Sequence, residues 1–329
     1  MFAEAIDDIL KDQCTPAVVR AIQAGESPAA LWDAIANAGF LELLSAEADG
    51  GAGLSPAELF PVLRCFGHYT VPVPVAQTIV ARALVGSQLV LPSGMVTLAQ
   101  TFRRDASGTI SCGLTPYGML ADYVLSRDGD GDGDGLLLLP CAAAKRVGTG
   151  VHNCLTATLT WPDDSGSTRA LQGGAMLPVF AAALHAALLS GAMNRVFEMT
   201  LQYCNDRVQF GKSLGKFQAV QHQLSVMAEH TAAASIAAEA AFQGTENAPS
   251  LLTAAMAKSR TSEAAVLVAS IAHALHGAIG VTEEYDLQLL TRCLHEWRTA
   301  HGSEAYWNTV IGQQVLASEM SLSDFVRSV

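Results

Sequence analysis

"DRVQFGKSLGKFQAVQHQ", residues 206–223, sets Arg207, two glycines and two lysines between one helix-like run and the next. Gly211 and Gly215 permit backbone of positive φ, so the first helix is expected to end near Asn205 and an amphipathic second one to begin near Lys216. That turn presents Arg207 beside the free N–H groups of a helix start. A guanidinium can fork onto two phosphate oxygens and a helix N-terminus adds partial positive charge, so the pair suits a pyrophosphate. Phe210 and Leu214 could pack on a flat ring. The spacing alone fits equally well a plain helix hairpin whose arginine caps a carboxylate.

Working outward, residues 173–329 carry Ala/Leu/Met-rich helical stretches, each read as exceeding twenty residues, which suits an antiparallel bundle. One run, "AMLPVFAAALHAALLSGAM" at residues 175–193, is nearly long enough to span a bilayer. It is rich in alanine, carries Pro178, His185 and Ser190, and lacks basic flanks, so it reads as a buried bundle helix and not a membrane span. Residues 93–172 change texture to short β-like runs, "MVTLAQTF", "TISCGL", "YVLSR", "GLLLLP" and "TATLTW", parted by Gly, Asp and Pro turns. Residues 1–92 are helical again: "SPAALWDAIANAGFLELL" repeats apolar residues at Leu31, Ile35, Ala38, Leu41 and Leu44, with Ser27 as N-cap and Pro28 in the first turn. The fold class that follows is mainly α with a small β domain. The "DGDGDGDG" repeat at residues 128–135 lacks the distal glutamate of a calcium loop and reads as a hairpin turn made soluble by its acids.

Composition narrows the function. Half of the 329 residues are hydrophobic, enough for a large core. Lys plus Arg number 19 against 31 Asp plus Glu, a net charge of −12 without any basic stripe, which argues against nucleic acid as a partner. The seven scattered cysteines show no CxxC spacing, arguing against a disulfide framework or a zinc cluster. The opening "MFAEAIDDILKD" is acidic where a signal peptide is basic, so the expected compartment is the cytoplasm.

The stretch "RVQFGKSLGKFQAVQHQLSVMA" resembles the arginine-loop signature of the acyl-CoA dehydrogenase family, R-x-x-F-G followed by F-Q-x-x-x-x-x-L-A-x-M. "HALHGAIGVTEEYDLQLLTR", ending at Arg292, is similar to the family's Q-x-x-G-G-x-G-[FY]-T-x-E-x-x-L-x-x-x-x-R segment. "LWDAIANAGFLELLSAEADGGAGLSPAELFPVL" resembles, less closely, its N-terminal L-x-x-L-G-x-x-x-L-x-x-P-E-x-x-G-G-x-G. The order holds along almost the whole chain. The resemblance implies a helical N-terminal domain at 1–92, a β middle domain at 93–172 and a C-terminal four-helix bundle at 173–329 that contacts FAD and drives oligomerisation. It implies that Arg207 grips the flavin pyrophosphate across a subunit interface, that Phe210 and Leu214 line the cofactor with Gln218 beside it, and that Leu275, His276 and Gly277 wall the adenosine side.

The family's reaction needs a carboxylate to take the α-proton of an acyl-CoA while a hydride leaves the β-carbon for the flavin. This sequence departs from that pattern. Ten residues beyond Arg292 lies Gly302, so the usual base position holds His301; the alternative position in the first bundle helix aligns with about Ala181. The flavin-wall glutamine falls on Ala274 and the second glycine of the pair on Ala278, and the T-E-P-x-x-G-S-D stretch that covers the flavin ring is missing. The resemblance therefore implies the shortened, base-lacking subunit of a heterotetramer. Its expected partners are a homologous full-length acyl-CoA dehydrogenase subunit, a bulky acyl-CoA such as a steroid side-chain ester, and an electron-transfer flavoprotein as acceptor. Two alternatives stand beside it: a homomeric enzyme with His301 as base, and a flavin-free scaffold subunit. Glu283, Glu284, Glu296 and Glu304 read as exposed helix-surface carboxylates, and His273 and His276 as packed side chains.

Overall fold

The structure is a computed structural model that describes residues 1–329 apart from 130–133, 152, 245–247 and 328–329. Five helices come first: α1 (Phe2–Gln13), α2 (Pro16–Gln23), α3 (Ala29–Asn37), α4 (Pro56–His68) and α5 (Val75–Val85). Local chemistry starts two of them, α2 and α4, where side chains can satisfy the free N–H groups. The Thr15 hydroxyl accepts from the Val18 N–H, and Ser55 and Glu58 form a reciprocal capping box ahead of Pro56. The third helix is shorter than its apolar spacing suggested. Gly39 takes φ +82 and breaks it, after which a 3-10 turn, Phe40–Glu42, carries Phe40 and Leu41 into the core instead. Its start also moves by one residue, with Pro28 at the N-cap and the Ser27 hydroxyl accepting from the Ala29 N–H at 3.3 Å.

The middle of the chain forms β1 (Val96–Leu98), β2 (Arg103–Arg104), β3 (Ile110–Thr115), β4 (Tyr123–Arg127), β5 (Leu136–Pro140), β6 (Lys145–Gly148), β7 (Ala157–Trp161) and β8 (Thr168–Ala170). One four-stranded sheet has the order β1-β4-β5-β8, with β1 and β4 parallel; the other, β2-β3-β7-β6, is antiparallel. The period of two explains the uninterrupted leucines of β5. Leu137 and Leu139 point with Val124 into a core shared with Ile110, Leu159 and Trp161 of the second sheet, while Leu136 and Leu138 join Val96 and Leu98 against the helices. The strands flanking the Asp/Gly repeat pair antiparallel with Arg127 opposite Leu136, as a hairpin requires; residues 130–133 at its tip lie outside the described residues.

The remainder is helical: α6 (Met176–Asp206), a small hairpin of β9 (Val208–Gln209) and β10 (Lys212–Ser213), then α7 (Gln218–Ala240), α8 (Leu251–His276), α9 (Leu287–Thr299), α10 (Glu304–Ala317) and α11 (Leu322–Arg327). Three of these helices exceed twenty residues. The other bundle helices, α9 and α10, have 13 and 14, because a 3-10 turn at Gly277–Val281 and the His301–Gly302 turn interrupt the apolar pattern. By length and composition residues 176–206 and 251–281 could each cross a bilayer, yet α6 is the core: from Leu177 to Met193 nearly every side chain is buried. It crosses α4 so closely that a Cβ on Gly67 would lie 2.1 Å from the Leu188 carbonyl oxygen, and one on Gly191 would lie 2.0 Å from that of Arg64.

The three parts share one hydrophobic core, and polar contacts tie them further. Arg20 of α2 pairs with Asp286 before α9 at 2.7 Å, the Tyr117 hydroxyl donates to the Val71 carbonyl at 3.2 Å, and the Thr156 hydroxyl meets the Glu296 carboxylate. The last contact corrects the surface reading of Glu296. That side chain is half-buried at the seam, and burial raises its pKa against the opposing pull of Thr156, Cys154 and Arg292. Glu304 also departs from the surface reading: it is half-buried, held by a two-pronged pairing with Arg298 that lowers its pKa. Glu283 and Glu284 are exposed.

Candidate functional site

The arginine loop is built from its backbone outward. Helix α6 runs to Asp206, one residue past the expected stop, where the Arg207 N–H closes on the Tyr203 carbonyl at 2.9 Å. Strands β9 and β10 then pair with Gln209 opposite Lys212, leaving Phe210 and Gly211 as a two-residue turn. Both have positive φ, +50 and +82, the mirror-image turn that matches strand twist. Glycine adopts that geometry freely and phenylalanine does not, so Phe210 is strained there; its ring stands 92% exposed at the tip. The Leu214 N–H returns to the Arg207 carbonyl at 2.9 Å, and α7 starts at Gln218, two residues later than expected.

The loop leaves its cations open. Arg207, Lys212 and Lys216 are exposed, and Lys212 lies 4.2 Å over the Phe217 ring. Gln218 is exposed at the start of α7. Leu214 turns inward, packed with Leu224, Cys204 and Leu275. That cluster joins the loop to the other predicted wall. Leu275 and His276 are buried at the end of α8, Gly277 follows exposed at φ +64, and the His276 ring stacks on Tyr203 at 4.4 Å, one turn before Arg207. The two sequence segments, one before α7 and one at the end of α8, thus meet in space.

The His276 ring is half of an unfinished hydrogen-bond pair. Its Nδ1 lies 2.8 Å from the Ala272 carbonyl, which can only accept, so Nδ1 carries the proton and Nε2 is a bare lone pair. That Nε2 is buried without a partner. His273 packs instead, its Nε2 against the Thr291 hydroxyl at 2.9 Å.

His301 is elsewhere, 6% exposed inside the bundle. It sits in the left-handed turn between α9 and α10, with φ +53, followed by Gly302 at +98. Its N–H donates to Gln100 Oε1 at 3.1 Å, just beyond β1, and its carbonyl accepts from Trp307 Nε1 at 3.0 Å. Its ring lies 5.0 Å from that of His185, whose Nδ1 in turn donates to the Ala181 carbonyl at 2.7 Å. Both candidate base positions therefore converge on one buried place, and neither supplies a carboxylate. Burial drives His301 well below the usual imidazole range and His185 down to about 3, so both rings are neutral. The larger grooves, around Glu42 and Arg82 and around Arg195 and Tyr285, do not reach these rings.

Sequence reasoning missed the cation beneath them. Lys258 of α8 is fully buried, and its ammonium donates to Ser262 Oγ at 2.9 Å, the Arg298 carbonyl at 2.7 Å and the Gly302 carbonyl at 2.9 Å. Burial lowers its pKa to about 7, with Glu304 pulling the other way. A lone lysine in the alanine-rich run "LLTAAMAKSRTSEAA" was the available signal.

Comparison with known proteins agrees along the chain. Residues 1–95 match the family description "Acyl-CoA dehydrogenase, N-terminal domain" and residues 180–316 match "Acyl-CoA dehydrogenase, C-terminal domain". The acyl-CoA dehydrogenase IpdE2 of Mycolicibacterium smegmatis is 29% identical over 315 residues, covering 92% of each chain. Among solved structures, a chain of the ChsE4–ChsE5 complex from Mycobacterium tuberculosis shares the fold with a TM-score of 0.85 at 19% identity, covering 97% of both chains. A chain of the Tcur3481–Tcur3483 steroid ACAD superposes with a TM-score of 0.81 at 25% identity, covering 96% of both.

Proposed function

The chain belongs to the acyl-CoA dehydrogenase family, oxidoreductases acting on CH–CH bonds, and on that premise we propose that it is the shortened, base-lacking subunit of a mixed oligomer. A full-length relative supplies the catalytic carboxylate and the loop that covers the flavin ring. The observation that carries this reading is the contrast between two sites: the base position is shut in the core as a neutral histidine, while Arg207 and Phe210 stand open to an incoming molecule.

The residues fit the phosphate and adenosine end of FAD. Arg207 would fork onto the pyrophosphate with the α7 start beside it, and the exposed Gln218 and Phe210 would flank the cofactor, while Leu214, turned inward, would back the loop. On the other wall, Leu275 and Gly277 frame His276, whose bare Nε2 can accept from a hydroxyl or amine donor. They do not fit the ring end, where Ala274 and Ala278 offer no polar side chain. Bound FAD would take the hydride leaving the substrate's β-carbon. This chain's part is to hold the cofactor and exclude water, with the α-proton going to the partner's carboxylate.

The substrate class we assign is a bulky acyl-CoA, such as a steroid side-chain thioester, supported by the similarity to a steroid ACAD whose name pairs two chains. An electron-transfer flavoprotein as acceptor, a cytoplasmic location and domain limits at 92/93 and 172/173 belong to the same reading. The test is to purify the chain alone and with a co-expressed full-length acyl-CoA dehydrogenase, then read flavin absorbance per chain. Little flavin alone and a stoichiometric complement in the complex are expected. A yellow homo-oligomer with one tight FAD per chain overturns the assignment and returns His301 to candidacy as base.

A further inference from the structure

Three basic side chains share one buried place that the proposed function leaves unused. His185 comes from α6, Lys258 from α8 and His301 from the α9–α10 turn, at 0%, 0% and 6% exposure. The turn is strained, with two consecutive residues of positive φ, and it is held from three sides. Lys258 donates to its carbonyls at Arg298 and Gly302, Trp307 donates to the His301 carbonyl, and Arg298 and Glu304 clamp its ends. The fourth contact leaves the bundle: the His301 N–H docks the Gln100 side chain of the middle domain.

We propose that this cluster is a proton-sensitive latch between the middle domain and the bundle: neutral histidine rings keep the Arg298–Glu304 turn seated and Gln100 docked on it, and proton uptake unseats both. The chemistry admits no comfortable charged form. His185 spends its one N–H on the Ala181 carbonyl, so a second proton would sit on a buried Nε2 that has no acceptor, and the His301 Nε2 is in the same position. The charged groups that bear on the rings make matters worse: Lys258 is a cation beside both, Arg298 a second one bearing on that lysine, and the nearby carboxylate of Glu304 is committed to Arg298. Of the elements involved, α6 cannot yield, since it is buried along its length and locked to α4 at Gly67 and Gly191. The turn can, being short and strained. Solvating His301 by expelling the turn breaks its N–H bond to Gln100 at once.

Hydrogen exchange of the full chain at pH 7 and pH 5, corrected for intrinsic rates, tests this directly. With His301 held well below its ordinary range while seated and released to a value near 6.5 on opening, the open form should gain about 25-fold in population over that interval. Protection should fall by about that factor in residues 96–104 and 298–306, while α4 and the first half of α6 keep theirs. The pair His185→Leu with His301→Asn, asparagine being tolerant of the left-handed turn, should abolish the pH-dependent part. Gln100→Leu, which leaves the buried trio untouched, should expose 96–104 already at pH 7 with no further loss there at pH 5. Unchanged protection in the wild type, a loss spread evenly over the chain, or a full acid response of residues 96–104 in the Gln100 variant overturns the latch.

Discussion

The imidazoles of His185 and His301 lie 5.0 Å apart, tilted by 40°, and through the Ala181 carbonyl they join the two positions that the sequence offers as candidates for a base. Two neutral rings beside the buried Lys258 occupy this place, and neither side chain is a carboxylate. The consequence is measurable in stability. His185 has a folded pKa of about 3 against roughly 6.5 unfolded, so the unfolded chain binds the extra proton across that interval and stability falls as pH drops through it. At pH 5 the loss from this one residue should be about 2 kcal/mol, read as a lower urea midpoint than at pH 7.5. His185→Leu should flatten that slope, and an equal slope in the variant would remove His185 as its source. Glu296 acts with opposite sign, its raised pKa costing stability as pH rises through the carboxylate range.

The α4–α6 crossing sets a second expectation. Gly67→Ala would place its methyl carbon 2.1 Å from a main-chain carbonyl oxygen, which no rotamer can relieve. The helices must separate, at roughly 1–3 kcal/mol or more. Gly312→Ala, where an added Cβ meets nothing within 4 Å, is the matched control and should be neutral or mildly stabilising through helix propensity. Equal melting temperatures for the two variants would contradict the close packing.

Much of this was legible in the sequence because it is local. Periodicity gave the helical ends and the β middle, and the turn chemistry around Gly211 gave the loop that carries Arg207. What escaped was chemistry assembled across distance. Glu296 lies on a polar-looking face of α9 and becomes half-buried where the middle-domain segment around Thr156, 140 residues earlier, meets it. Lys258, His185 and Gln100 each look incidental in their own segment; they form a site only once α6, α8 and β1 meet at the His301 turn. The lengths of α9 and α10 were also overestimated, since apolar spacing continues across a left-handed turn that periodicity cannot see.

Arg207 is open to solvent and, among the described residues, makes no salt bridge, so its guanidinium is free to meet a ligand anion and contributes little to the fold. Arg207→Ala should therefore leave the melting temperature of the chain unchanged within error. In the flavin-containing assembly it should weaken FAD retention by about ten- to a hundredfold, the loss of a charge-assisted, forked contact worth roughly 1.5 to 3 kcal/mol. Arg207→Lys should recover only part of this, because an ammonium cannot fork. Unaltered flavin content after gel filtration of the alanine variant would assign the loop to packing alone.

The base assignment is tested most sharply at His301. If a partner's carboxylate takes the α-proton, His301→Asn, chosen because asparagine accepts the φ of +53 at this turn, should leave the turnover of the mixed complex within a few fold. A positioned general base contributes roughly 10² to 10⁴ in rate, so the two outcomes are far apart. The pH profile separates them again. A carboxylate base puts the acid limb of kcat near or below 5, whereas an imidazole base working from an ordinary environment would put it near 6.5. Burial pushes His301 well below that range, so a limb near 6.5 would require the ring to leave the core, visible as altered exchange in residues 298–306. The expected result is near-normal turnover with an unmoved acid limb. A loss of a hundredfold or more in a variant that keeps its flavin and its oligomer would make His301 the base and this chain an acyl-CoA dehydrogenase in its own right.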